Sequence, residues 1–221
     1  MDNTADLIIF DVDGTLFETQ YVTVPAVQQA FAGFGLPVPS ESGICSFFGK
    51  PVEAYETWLE QQCPPGLAAA VVERANALEL RFIGESGRLY PGVREGLVRL
   101  KEAGYILAVC SNGPDSYVHE VVRAHGLARF FADVCARGVI YEDKVEMVGV
   151  LRSRLRPKRF VLVGDRREDI EAAHAHQGVA IAATYGFGAP EEWRDADACM
   201  AAFPEIQACL RQLFGSGGNG A

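Results

Sequence analysis

Asp11-Val12-Asp13-Gly14-Thr15 places two carboxylates two residues apart, directly after the apolar run Leu7 to Phe10. Neighbouring carboxylates repel and raise one another's pKa, so keeping both ionised calls for a cation, and a hard metal suits such a pair. A loop whose acids only bind water or cap a helix would carry the same residues. Ser111-Asn112-Gly113 offers a hydroxyl, an amide and backbone N–H groups able to hold phosphate oxygens, although Ser and Asn before a helix are equally ordinary caps. Lys144, in Glu142-Asp143-Lys144, stands near the start of a helical pattern and alone reads as a solvated lysine. Gly164-Asp165-Arg166-Arg167-Glu168-Asp169 adds Asp165 and Asp169, whose spacing lets them share one side of a helical turn.

Each group must be held by an element, and the sequence supplies a regular set. Leu7-Ile8-Ile9-Phe10 has the length and β-branched content of a strand buried on both faces. Ile106 to Cys110, Phe160 to Val163 and Val179 to Ala182 follow the same style, with a weaker strand at Val134 to Ala136. Helical spacing lies between them: Val93, Leu97 and Leu100 share one face, Val118, Val121 and Val122 another, and Met147, Val148 and Leu151 a third. Alternating strand and helix predicts an α/β fold, a doubly wound parallel sheet with ligands beyond the carboxyl ends of the strands. The acidic, hydroxyl and GD segments above all fall at such ends.

From about Thr19 to Leu89 that rhythm breaks into helical patterns alone. Val24, Val27, Phe31 and Phe34 mark one; Pro51 opens a second bearing Val52, Tyr55 and Leu59; Leu67, Val71, Leu78 and Phe82 mark a third. The stretch reads as an inserted helical cap over residues 19–86, carried on a core of residues 1–18 and 87–214, with tethers close together so that the cap can rock over the site. The glycine-rich segment 215–221 reads as a disordered tail.

Composition excludes several classes. The 221 residues are 49% hydrophobic and 22% charged, as a soluble globular protein should be. A net charge of −9 with no basic stripe argues against nucleic acid. No apolar run reaches membrane-spanning length, and the acidic start is unlike a signal peptide, so a cytoplasmic location is expected. Six cysteines form no CxxC pair and no zinc-ligand spacing, and they read as reduced thiols.

Taken in order, DxDGT, Ser-Asn, Lys and GDxxxD, each at a strand end or helix start, resemble the haloacid dehalogenase superfamily. Within it the chain looks like the phosphoglycolate-phosphatase-like group, with its cap after the first motif. Tyr90-Pro91-Gly92-Val93, where the cap returns, and Thr184-Tyr185-Gly186-Phe187-Gly188, after the last strand, extend the resemblance over nearly the whole chain. The resemblance implies a Rossmann-like sheet of order 5-4-1-2-3, with Asp11 beside Asp165. It implies Asp11 as nucleophile and Asp13 as general acid and then base. Magnesium would be held by Asp11, the Asp13 backbone carbonyl and Asp165, with Asp169 steadying the metal's waters or Lys144. Ser111 and Lys144 would bind the transferring phosphoryl group, with Thr15 and Asn112 also on the substrate. Gly49-Lys50-Pro51 falls where many relatives place a cap arginine, and Lys50 is expected to enter the site and meet the leaving group. Arg166 stands where relatives more often carry a small polar residue.

The function so implied is magnesium-dependent hydrolysis of a small anionic phosphorylated metabolite through an aspartyl-phosphate, by a monomer or homodimer. A phosphomutase would use the same groups, and a silent binding protein could retain the scaffold. A dehalogenase is disfavoured by Asp13, and a receiver domain by the absence there of a cap and by its acceptor following a middle strand.

Overall fold

In the computed structural model, which describes residues 5–138 and 140–215, β1 (Leu7–Phe10) is buried at every position. Its apolar run is what a strand covered on both faces requires. The chain then runs through four helices, α1 (Gln20–Gly33), α2 (Glu41–Cys45), α3 (Val52–Gln61) and α4 (Ala68–Glu85). Next come α5 (Val93–Glu102), β2 (Ile106–Ser111), α6 (Asp115–Ala124), β3 (Asp133–Ala136), α7 (Lys144–Leu155), β4 (Phe160–Gly164), α8 (Arg167–Ala175), β5 (Val179–Ala183), β6 (Ala198–Met200) and α9 (Ile206–Phe214).

The six strands form one parallel sheet in the order β3-β2-β1-β4-β5-β6. Read from the other side, its first five strands have the expected order 5-4-1-2-3, and β6 extends that edge. Neither β6 nor α9 was among the elements read from the sequence. β6 has three residues, too few for a visible period, and it exists because its backbone pairs with β5.

Alternation along the strands divides the core in two. Ile8, Phe10, Leu107, Val109, Val161 and Val163 face one side, where α5, α6 and α9 bring Val93, Leu97, Val118, Val121, Ile206 and Leu210. Leu7, Ile9, Ala108, Cys110, Phe160 and Leu162 face the other, under Met147, Val148 and Leu151 of α7 and Ile170, Ala172 and Ala173 of α8. Helices α1 to α4 enclose a separate cluster built from Val24, Val27, Phe31, Ile44, Phe48, Leu59, Val71 and Leu78. Its two connections to the sheet lie side by side: Glu18 N donates to Arg88 O at 2.9 Å and Tyr90 N to Leu16 O at 3.1 Å. Residues 216–221 of the glycine-rich segment lie outside the described residues. No helix among the described residues is long and apolar enough to cross a membrane.

Candidate active site

The central position of β1 brings the motif residues together. β1 pairs with β2 on one side and β4 on the other, in a register that aligns Phe10 with both Val109 and Val163. One residue beyond Phe10, and two beyond Val109 and Val163, the three strands present Asp11, Ser111 and Asp165 at the same edge of the sheet, all fully buried. Asp11 N donates to Val163 O at 2.9 Å, which fixes the first turn of the loop against β4.

Lys144 reaches this edge from the first position of α7. Asp143 caps that helix, its side chain accepting from Glu146 N at 2.8 Å. The lysine's Nζ donates to Asp11 Oδ1 at 2.9 Å and to Asp169 Oδ1 at 2.6 Å. A cation in the first turn opposes the helix dipole, so these two carboxylates, rather than the helix, account for its position. Burial by itself would lower the lysine's pKa, but Asp11 and Asp169 more than offset this and hold the ammonium well above its ordinary value.

Asp11, Asp165 and Asp169 form a buried acidic group whose ligand atoms lie within 4.8 Å of one another. Their free valences differ. Asp169 is engaged through both oxygens, by Lys144 and by Arg166 N at 3.0 Å. Asp165 Oδ2 accepts from Phe187 N at 2.6 Å and Gly188 N at 3.3 Å, while its Oδ1 has no partner. Asp11 Oδ2 is likewise buried and unpartnered. Burial first, then the neighbouring carboxylates, push Asp165 well above the ordinary carboxylate range, and burial raises Asp11 in spite of Lys144. Two orphaned carboxylate oxygens in an acidic group meet the donor chemistry of a hard divalent cation, which would supply the missing positive charge. The residues present therefore fit magnesium.

The packing that allows this is tight. Gly14 has φ of 77°, and a Cβ there would overlap the Asp165 carboxylate and the Phe187 ring. Gly186 lies equally close to Asp165. The segment after β5 thus closes over the acidic group, and Trp193 Nε1 donates to Asp165 O at 2.6 Å.

Asp13 faces elsewhere. Its Oδ1 accepts from Thr19 Oγ1 at 2.5 Å, just before α1, and from Tyr117 Oη of α6 at 2.7 Å. Burial raises its pKa, against these two hydrogen bonds. It borders a cavity lined also by Thr19, Thr23, Phe47, Phe48, Gly49, Tyr55, Glu79 and Tyr117. Thr19 and Tyr117 were not among the residues singled out from the sequence. A threonine eight residues after the first acid and a tyrosine in the helix after Ser111 carry no signal without the fold.

The remaining residues divide. Ser111 is buried with its Oγ accepting from Gly113 N at 3.1 Å, and Thr15 Oγ1 is buried without a partner. Asn112 Nδ2 donates to Gly49 O at 3.0 Å, which fastens the insertion's loop to the sheet. Arg166 packs its aliphatic stem where a Cβ on Gly49 would sit and donates from Nη1 to Phe187 O at 3.2 Å. Lys50 does not line the cavity, and its ammonium lies over the Phe47 ring, 5.3 Å from the centroid.

A doubly wound sheet with a buried Asp-Lys-Asp group at its carboxyl edge, covered by a helical insertion, defines a phosphoryl-handling hydrolase. The family model for haloacid dehalogenase-like hydrolases matches residues 8–183, and the chain belongs to that family. It is a phosphatase. Phosphoglycolate phosphatase of Haemophilus influenzae (strain 86-028NP) is 31% identical over 199 residues, covering 85% of this chain and 89% of the relative. The Vibrio cholerae phosphoglycolate phosphatase is 29% identical over 202 residues, covering 86% and 89%. Among solved structures, a predicted phosphoglycolate phosphatase from Haemophilus somnus superposes with a TM-score of 0.83 at 25% identity, over 92% of this chain and 97% of that one. CbbY from Rhodobacter sphaeroides, solved with phosphate, shares the fold with a TM-score of 0.78 at 24% identity, over 94% of this chain and 99% of that one.

Proposed function

We propose that the protein hydrolyses a small phosphorylated metabolite through an aspartyl-phosphate on Asp11, with magnesium as cofactor. We read residues 1–18 and 87–214 as the catalytic core and 19–86 as the cap. The observation that carries the reading is the division of labour between two acids of one loop. Asp11 is held by Lys144 in the acidic group, and Asp13 is held apart by Thr19 and Tyr117 at the cap cavity.

Asp11 attacks phosphorus as the bond to the leaving oxygen breaks, and Asp13, protonated, gives its proton to that oxygen. The raised pKa of Asp13 favours the form that can donate. Asp13, now ionised, takes a proton from the water that opens the acyl phosphate and frees Asp11. Lys144 and Ser111 bind phosphoryl oxygens, and the unpartnered Thr15 Oγ1 is placed in the same loop to assist. Asp11, Asp165 and the Asp13 carbonyl would hold magnesium, which would supply charge compensation between anionic nucleophile and anionic substrate. Asp169 keeps Lys144 in position through Oδ1 and accepts from Arg166 N at the start of α8 through Oδ2. Asn112 holds the cap loop through Gly49 O.

Magnesium-dependent release of phosphate from p-nitrophenyl phosphate tests the reading, together with recovery of label on Asp11 after a millisecond quench. Asp11→Asn should abolish both and reduce the rise in melting temperature that magnesium gives the wild type. Calcium, larger and able to take both oxygens of one carboxylate, should inhibit. Full turnover in excess chelator, or undiminished turnover by the Asn variant, would refute it.

A further inference from the structure

We infer that the cap cavity selects a leaving alcohol that carries hydrogen-bond donors and no second negative charge, and that Glu79 of α4 is the residue that reads it. This rests on the phosphatase reading above and goes further than the name carried by the relatives, whose substrate ends in a carboxylate.

Asp13 must face the leaving oxygen, so the space beside it on the cap side is where the rest of the substrate lies. The polar lining of that space is two carboxylates, Asp13 and Glu79, and the hydroxyls of Thr19, Thr23, Tyr55 and Tyr117, set among the rings of Phe47 and Phe48. Among the described residues no lysine, arginine or histidine lines it. Glu79 accepts a hydrogen bond from Thr23, and among the described residues it forms no ion pair. Burial, with Asp13 adding to it, pushes its carboxyl up to about 7. Among the described residues Thr23 is the one side chain that donates to Glu79, which keeps part of its surface open to solvent.

A carboxylate or second phosphate placed here would meet acidic side chains with no cation in the lining, which disfavours binding. A hydroxyl or ammonium would instead donate to Glu79, a charge-assisted bond. Polyol phosphates and amino-alcohol phosphates share this chemistry. Lys50 holds its ammonium over the ring of Phe47 and is itself absent from the lining.

The test compares kcat/KM for three esters of similar size, glycerol 3-phosphate, phosphoethanolamine and phosphoglycolate, in the wild type, Glu79→Gln and Glu79→Leu. We expect the wild type to favour at least one donor-bearing ester over phosphoglycolate by about ten-fold or more. Glu79→Leu should cut that preference by about ten- to a hundred-fold, the range of one charge-assisted bond. A drop already complete in Glu79→Gln identifies an ammonium, whereas a drop confined to Glu79→Leu identifies a hydroxyl. Preference for phosphoglycolate in the wild type, or equal ratios in all three proteins, overturns the inference. Hydrolysis of p-nitrophenyl phosphate by the wild type is the separate check on the phosphatase reading. Should that fail, calorimetric titration of the three esters into the wild type and Glu79→Leu still ranks them, and an unchanged ranking overturns the role of Glu79.

Discussion

Lys144 Nζ and Asp11 Oδ1 lie 2.9 Å apart although 133 positions separate them in the chain, and both side chains are essentially excluded from solvent. Removing the lysine strands two buried carboxylates. Lys144→Met should therefore abolish phosphatase turnover and destabilise the fold by about 3–5 kcal/mol. Adding Asp169→Asn should restore part of the stability, since it removes one stranded charge, while turnover stays absent. Urea denaturation of the single and double variants checks this, and equal stability of the two would refute the coupling.

Tyr117 and Thr19 hold one oxygen of Asp13 between them, at 2.7 and 2.5 Å. Tyr117→Phe should lower kcat by about ten- to a hundred-fold with little change in KM, less than the 10²–10⁴-fold typical of losing a general acid outright, as in Asp13→Asn. A substrate with a leaving group good enough to depart unprotonated should be affected least. A uniform loss across leaving groups of different pKa would argue that Tyr117 acts on something other than proton transfer.

Gly14 combines a φ of 77° with direct contact against the Asp165 carboxylate. Gly14→Ala adds both a strained backbone and a methyl group in space that Asp165 occupies, so the acidic group must open. Loss of the magnesium-induced rise in melting temperature, with the fold kept by circular dichroism, is the expected outcome. An alanine variant that binds magnesium as the wild type does would show that the contact is not needed.

Glu79 has a folded-state pKa of about 7 against an ordinary 4.5. Because the folded state binds the proton more tightly, this group's contribution to stability is fully present below about pH 4.5 and is lost as pH rises through about 7. Glu79→Gln removes the titration. The variant should match the wild type near pH 4.5 and exceed it at pH 8, by up to about 3 kcal/mol. Melting curves of the two proteins across that range decide it, a constant offset being the contrary result.

The sequence by itself determined the five main strands and the helical patterns between β1 and β2, because each rests on a local pattern: short apolar runs of strand length, or helical spacing uninterrupted by strands. It also determined which residues stand at strand ends, since Asp11, Ser111 and Asp165 directly follow such runs. The tertiary structure decided what those residues touch. Asp13 meets Thr19 at the start of the insertion and Tyr117, 104 positions away on α6. Asp169 is tied by both oxygens to Lys144 and Arg166, Asn112 donates to Gly49 O in the loop before α3, and Lys50 rests on Phe47. Glu79 carried no signal as one acid in an amphipathic helix, and β6 carried too little in three residues. Periodicity reports the face a residue presents within its own element, whereas these contacts depend on how separate elements meet, and that is fixed only when sheet and cap pack.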